Sequence, residues 1–222
     1  MEKVFVSWSG GKDCTLAAYK AMAQGFKVAC LLNMAKADGK LSWSHGVSSD
    51  VLKIQSRAIG IPLVQGLTNQ KAYHANFIKT LLELKKQGIT GGIFGDIDFE
   101  AHREWVTGVC HEVGMTAHLP LWQRDQNDIL KEFIKSGFES VIIDTRADLM
   151  GEEWLGRKID ADFVRDINKR RDLTPCGEAG EYHSFVMNGP FFKQCVAITE
   201  TNKFQRDGHW FMQILKCEVK PK

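Results

Sequence analysis

Ser7-Trp8-Ser9-Gly10-Gly11-Lys12-Asp13-Cys14 stands between an apolar run, Val4-Phe5-Val6, and a stretch of good helix formers, Leu16-Ala17-Ala18-Tyr19-Lys20-Ala21-Met22. Strand, glycine turn and helix in that order aim backbone N–H groups and the positive end of a helix dipole at one point, which suits an anion such as phosphate. Gly10 and Gly11 are expected to supply positive φ and close backbone approach. Ser7 and Ser9 add hydroxyls, Lys12 a positive charge, and Asp13 a carboxylate able to reach a magnesium ion. The spacing is neither that of a Walker A loop nor that of a dinucleotide fingerprint.

Outward from this stretch the chain alternates. Strands are expected at 26–34, 62–66, 91–97, 116–122 and 138–143, with helices near 47–59, 70–87, 99–113 and 126–136 between them. Such alternation predicts an α/β fold, a Rossmann-like parallel sheet with helices on both faces. Ligands of such sheets lie at the carboxyl ends of the strands, near the point where strand order reverses. The first loop, Gly95-Asp96 and the stretch 118–122 all fall at expected strand ends. Beyond about 145 the rhythm changes to a helix at 160–171 and three strands near 184–187, 193–199 and 209–215. Asn188-Gly189 and Asp207-Gly208 read as hairpin turns between those strands. This predicts a smaller α+β lobe over 145–222 behind a domain spanning 1–144.

Composition narrows the classes. The chain has 222 residues, 44% of them hydrophobic, and a net charge of +2 from 29 basic and 27 acidic residues. Near-neutral charge without a basic stripe predicts no nucleic-acid partner. The six cysteines form no CxxC pair, as expected of reduced thiols in the cytoplasm rather than of a zinc site. No apolar run approaches membrane-spanning length and no leader is evident, so no membrane association is expected.

A second constellation lies at Cys176-Gly177-Glu178-Ala179-Gly180-Glu181-Tyr182-His183. By composition it is a glycine-rich loop with solvated glutamates. Alternatively, Glu178 and Glu181 face the nucleotide and hold an ammonium, a metal-bound water or a cationic group, while His183 and His45 move protons.

The string SGGKD resembles the PP-loop of the ATP pyrophosphatase superfamily, whose members cleave ATP between the α- and β-phosphates. Cys14 stands where that pattern carries Ser or Thr. A buried structural thiol is its ordinary reading. SGGKDC at 9–14, Gly95-Asp96-Ile97, Arg103-Glu104-Trp105 with Pro120-Leu121-Trp122, and CGEAGEYHSFV at 176–186 occur together and in order. The combination resembles the diphthine–ammonia ligase family, in its short archaeal and bacterial form, over nearly the whole chain. The resemblance implies an adenine nucleotide alpha hydrolase-like fold and an AMP-forming ligase. ATP and Mg²⁺ would be used to adenylate a substrate carboxylate, and ammonia would then displace AMP. It implies ATP contacts from Ser7, Ser9, Gly10, Gly11, Lys12, Asp13, Gly95 and Asp96, with Asp13 on the metal. The catalytic set would be Lys12, Asp13, Glu178, Glu181 and His183. The nitrogen donor would be free ammonia, since no amidotransferase cysteine is evident. The acceptor would be diphthine on elongation factor 2 if the source is archaeal or eukaryotic, and another carboxylate otherwise. Oligomeric state stays open, with a homodimer among the expectations. An RNA-modifying PP-loop enzyme and a non-catalytic ATP sensor are the alternative readings.

Overall fold

All residues, 1–222, are described by the computed structural model. In chain order the first part comprises β1 (Lys3–Ser7), α1 (Lys12–Ala23), β2 (Lys27–Lys36), α2 (Ser49–Ile59), β3 (Leu63–Thr68), α3 (Tyr73–Lys86), β4 (Gly91–Ile93), α4 (Glu100–Glu112) and β5 (Thr116–His118). Then follow α5 (Gln126–Lys135), β6 (Glu139–Arg146), α6 (Ala161–Ile167), β7 (Tyr182–Asn188), β8 (Cys195–Arg206) and β9 (His209–Lys220).

Strands β1 to β5 form one parallel sheet in the order β3-β2-β1-β4-β5. Its strands are apolar on both faces, and alternate residues enter different cores. Val4 and Val6 of β1 and Leu31 of β2 pack with Leu16, Ala17 and Leu52 of α1 and α2. Phe5, Cys30 and Leu32 pack with Phe77 and Leu81 of α3 and Val106 and Val109 of α4. Side chains of successive strand residues point to opposite faces, so helices cover both. Strand order reverses between β1 and β4, and this sets a crevice at their carboxyl ends.

The second sheet is antiparallel, in the order β7-β6-β9-β8. It shares a core with the first through α1 and α2: Phe185, Val186 and Ile214 lie in the same cluster as Leu16 and Leu52. Here the structure corrects three expectations. The strand at 138–143 does not extend the parallel sheet; it is β6, the antiparallel partner of β7 and β9. Its run Val141-Ile142-Ile143 is buried on both faces, and such a run carries no sign of strand direction. Asn188-Gly189 is not a hairpin turn, because β7 pairs with β6 and not with β8. Asp207-Gly208 does close the β8–β9 hairpin, with φ of 50° and 79° as a type I′ turn requires. The last helix ends at Ile167 rather than 171, capped at its start by Asp160.

α2, α5 and α6 begin with capping side chains, Ser48, Asp125 and Asp160. α1 begins at Gly11, which offers no capping side chain, and its Lys12 N–H is taken by Ser184 Oγ of β7. No helix is long and apolar enough to cross a membrane.

Candidate active site

A cleft of about 330 Å³ opens at the carboxyl ends of β1, β2 and β4. The residues between β1 and α1 form its floor. Gly10 has φ +85°, which favours glycine, and its carbonyl accepts from Val186 N at 2.9 Å and from Gln55 Nε2 at 3.0 Å. Gly11 is extended, with φ −88°, contrary to expectation; it is small because a Cβ there would lie 3.1 Å from the Ser184 carbonyl oxygen. Gln55 is fully buried and ties the loop together: it also accepts from Trp8 Nε1 at 2.9 Å and donates to the Val186 carbonyl at 2.7 Å. The loop is therefore clamped by β7, which is far away in sequence.

Lys12 is 4% exposed. Its ammonium lies 2.9 Å from Asp13 Oδ2, donates to the Cys176 carbonyl, and sits 4.9 Å over the Tyr182 ring. Burial is the largest single influence and works against its charge, but Asp13, Tyr182 and Cys176 together outweigh it and hold Lys12 well above the usual lysine range. Burial pushes the Asp13 carboxyl up, against the pull of Lys12. Asp13 Oδ1 is buried and has no hydrogen-bond partner. Cys14 donates through Sγ to the Gly11 carbonyl at 3.2 Å, and burial raises its pKa; it stands as a thiol, not a thiolate. Lys12 N donates to Ser184 Oγ at 3.1 Å, a join of the two sequence constellations.

Of the residues singled out in the sequence, Ser7, Ser9, Gly11, Lys12, Asp13, Gly95, Asp96, Glu178, His183 and His45 line the cleft. Gly10 and Glu181 do not. Gly10 faces Leu52 and Gln55. Glu181 is 2% exposed, and its two oxygens accept from Thr174 N at 2.6 Å and Thr174 Oγ1 at 3.0 Å, while that hydroxyl accepts from Glu178 N at 2.8 Å. Glu181 thus shapes the loop that presents Glu178. Gly95 is a packing glycine: a Cβ there would lie 2.7 Å from Cys14 N and 2.8 Å from the Asp13 carbonyl carbon.

Glu178 has its pKa raised to about 7, first by burial and then by Asp13. His183 is lowered to about 4 by burial, with Lys12 and His209 adding to it. His45 is lowered well below the usual range by burial, His183 and Lys12, and its ring stacks on His183 at 4.0 Å between centroids. Both imidazoles are neutral at neutral pH.

Sequence reasoning missed part of the lining. Leu32, Met34, Trp43, Tyr73 and Phe77 make an apolar, aromatic end to the cleft. His102 binds Asp96 at 3.2 Å, and this hydrogen bond raises its pKa. It directly precedes Arg103-Glu104-Trp105, so position beside that string was the one available signal. No three His, Cys, Asp or Glu side chains are grouped so that they alone could hold a metal ion. A magnesium ion needs only one or two carboxylates when phosphates complete its shell. The orphaned Asp13 Oδ1, with Asp96 near enough to perturb Asp13, fits such an ion.

Residues 2–117 match the diphthamide synthase N-terminal domain and residues 125–220 the diphthamide synthase C-terminal domain. The chain is similar to the diphthine–ammonia ligase of Schizosaccharomyces pombe, 27% identical over 219 residues. That alignment covers 89% of this chain and 36% of the yeast protein, so the chain spans about a third of that relative. It is 26% identical to the diphthine–ammonia ligases of Bos taurus and Homo sapiens over 214 residues, 86% of this chain and 80% of each of those proteins. Among solved structures, a protein titled as a predicted subunit of tRNA methyltransferase from Methanocaldococcus jannaschii aligns with a TM-score of 0.47 and 14% identity. The alignment takes in 86% of this chain and 98% of that one, and the likeness is too loose to bear on function.

Proposed function

The chain belongs to the diphthamide synthase family, and from that premise we propose that it is an ATP-dependent, AMP-forming ligase that turns a substrate carboxylate into an amide with ammonia. One observation carries the reading: a glycine loop at the start of an uncapped helix is joined, through Lys12 and Ser184, to a loop that presents a carboxyl group with a pKa of about 7. A phosphate cradle alone would serve a sensor; the added base serves chemistry.

In the first half-reaction a carboxylate oxygen attacks the α-phosphorus of ATP, the bond to the β-phosphate breaks, and pyrophosphate leaves. The Lys12 ammonium and the positive end of the α1 dipole receive the charge that develops there, the kind of preorganised stabilisation that contributes most in a water-poor site. Asp13 and Asp96 would hold Mg²⁺, which supplies neutralising charge to the phosphates when bound. The aromatic end formed by Trp43, Tyr73 and Phe77 suits the adenine ring. In the second half-reaction ammonia attacks the acyl carbon, the carbon–oxygen bond to AMP breaks, and the nitrogen loses a proton to Glu178. Glu181 is a positioning residue for Glu178.

The acceptor proposed is the diphthine side chain of elongation factor 2, bound by the lobe expected from residue 145 onward, with ATP on residues 1–144. The six unpaired cysteines favour a cytoplasmic setting. The test is ¹⁵N-ammonium incorporation into diphthine-bearing elongation factor 2, read by mass spectrometry. One labelled amide per acceptor, dependent on ATP, supports the reading. ATP consumption with no label in the acceptor refutes it.

A further inference from the structure

A second cavity, of about 150 Å³, lies between residues 41–48 and the β6–β9–β8 face of the antiparallel sheet. Leu41, Val47, Phe204, Phe211 and Met212 give it apolar walls. His45 lines this cavity and the nucleotide cleft alike, so the two spaces meet at that side chain. The Nδ1 atom of His45 is buried and has no hydrogen-bond partner. An orphaned polar atom in such a wall is costly unless a ligand satisfies it.

The mouth carries one cation. Phe204 and Phe211 are directly opposed in the β8–β9 ladder and stack at 5.3 Å. The Arg206 guanidinium lies over both rings, at 5.6 and 5.5 Å from their centroids. The aromatic platform fixes its direction, and its one ion pair is a solvent-exposed contact with Asp207 at 3.5 Å. A planar, always-charged fork held this way suits a carboxylate. The cavity has under half the volume of the nucleotide cleft, so it fits a narrow, apolar-stemmed group rather than a second nucleotide.

We propose that this cavity is the entry for the acceptor: a carboxylate on a slender side chain of another protein passes Arg206, lies along Phe204, Phe211 and Met212, and meets the nucleotide beside His45. The inference deepens the ligase reading and rests on it. In the first half-reaction the neutral His45 ring, held by its stack on His183, borders the path of the attacking oxygen to the α-phosphorus. No proton leaves the carboxylate, which is already ionised.

Two variants test this, both at residues exposed on the sheet. Arg206→Glu reverses the charge at the mouth, and Gln213→Trp fills the opening from an exposed strand position that lines it. With diphthine-bearing elongation factor 2 as acceptor, each is expected to raise the acceptor KM at least tenfold with the KM for ATP within twofold of wild type. Arg206→Lys is expected to recover part of the loss. An acceptor KM unchanged in both variants overturns the proposal, as does an ATP KM that rises in step. The ligase reading fails separately: wild-type protein that forms no AMP with this acceptor and ammonium refutes it without any variant.

Discussion

Gly95→Ala isolates the contact that holds the two halves of the proposed nucleotide site together. The added Cβ would lie 2.7 Å from Cys14 N and 2.8 Å from the Asp13 carbonyl carbon, where 3.4 Å is an ordinary contact, a shortfall of about 0.7 Å. Both neighbours are backbone in the first turn of α1, so no side chain can rotate away. The segment after β4 must separate from α1. Overpacking of this kind costs about 1–3 kcal/mol. At roughly 2–4 °C per kcal/mol for a chain of this size, the melting temperature falls by about 2–12 °C. The catalytic effect is larger, because Asp13 and Asp96 sit on the two segments being pushed apart. A misplacement near 1 Å costs on the order of 10²-fold in rate, so a fall of about 10- to 100-fold in AMP formation is expected. Thermal melts and single-turnover AMP release from labelled ATP measure the two effects. Gly108→Ala is the control: it is exposed in mid-α4, a Cβ there meets nothing, and about 1 kcal/mol of added stability is expected. Wild-type stability and rate in Gly95→Ala would refute the close approach of these segments.

Gln55→Ala removes the buried side chain that joins Trp8, Gly10 and Val186. Gly10 keeps its bond from Val186 N, but Trp8 Nε1 and the Val186 carbonyl lose their Gln55 partner, so a loss of about 2–6 kcal/mol is expected in denaturant titration. Glu178→Gln is expected to keep pyrophosphate release while amide formation falls by about 10²–10⁴-fold; equal loss in both steps would contradict its role as base. His183 titrates near 4 in the folded state against 6.5 unfolded. The unfolded chain therefore binds more protons between those values, and stability rises with pH across that window. His183→Gln should flatten this limb, by up to about 3 kcal/mol at pH 4, in acid unfolding curves.

The parallel sheet was legible because its strands and helices keep different apolar periods, and because the stretch 7–14 sits where one period gives way to the other. β6 was not, since a strand buried on both faces reads the same whether its neighbours run parallel or antiparallel. Asn188-Gly189 has turn chemistry, but turn chemistry states only that the chain bends, not which strand it rejoins. In the site, Lys12 and Asp13 were visible as charges at a strand end, and Glu178 as a carboxylate in a glycine-rich loop. Gln55 was not: in sequence it is one polar residue in an amphipathic helix, and only the tertiary fold shows it buried beneath the loop. Glu178 and Glu181 look equivalent three residues apart, yet one faces the cleft and the other is bound by Thr174. The aromatic wall of Trp43, Tyr73 and Phe77 joins a loop to a helix, a proximity that local spacing does not encode.

Activation at the α-phosphate is the step on which the proposed ligase chemistry depends. Incubation of the protein with α-labelled ATP, Mg²⁺, ammonium and diphthine-bearing elongation factor 2, followed by separation of the nucleotides, tests it most directly. AMP and pyrophosphate formed one for one with amide, and lost in Lys12→Ala, is the predicted result. ADP with phosphate as the products, or AMP formation undiminished in Lys12→Ala, would contradict it.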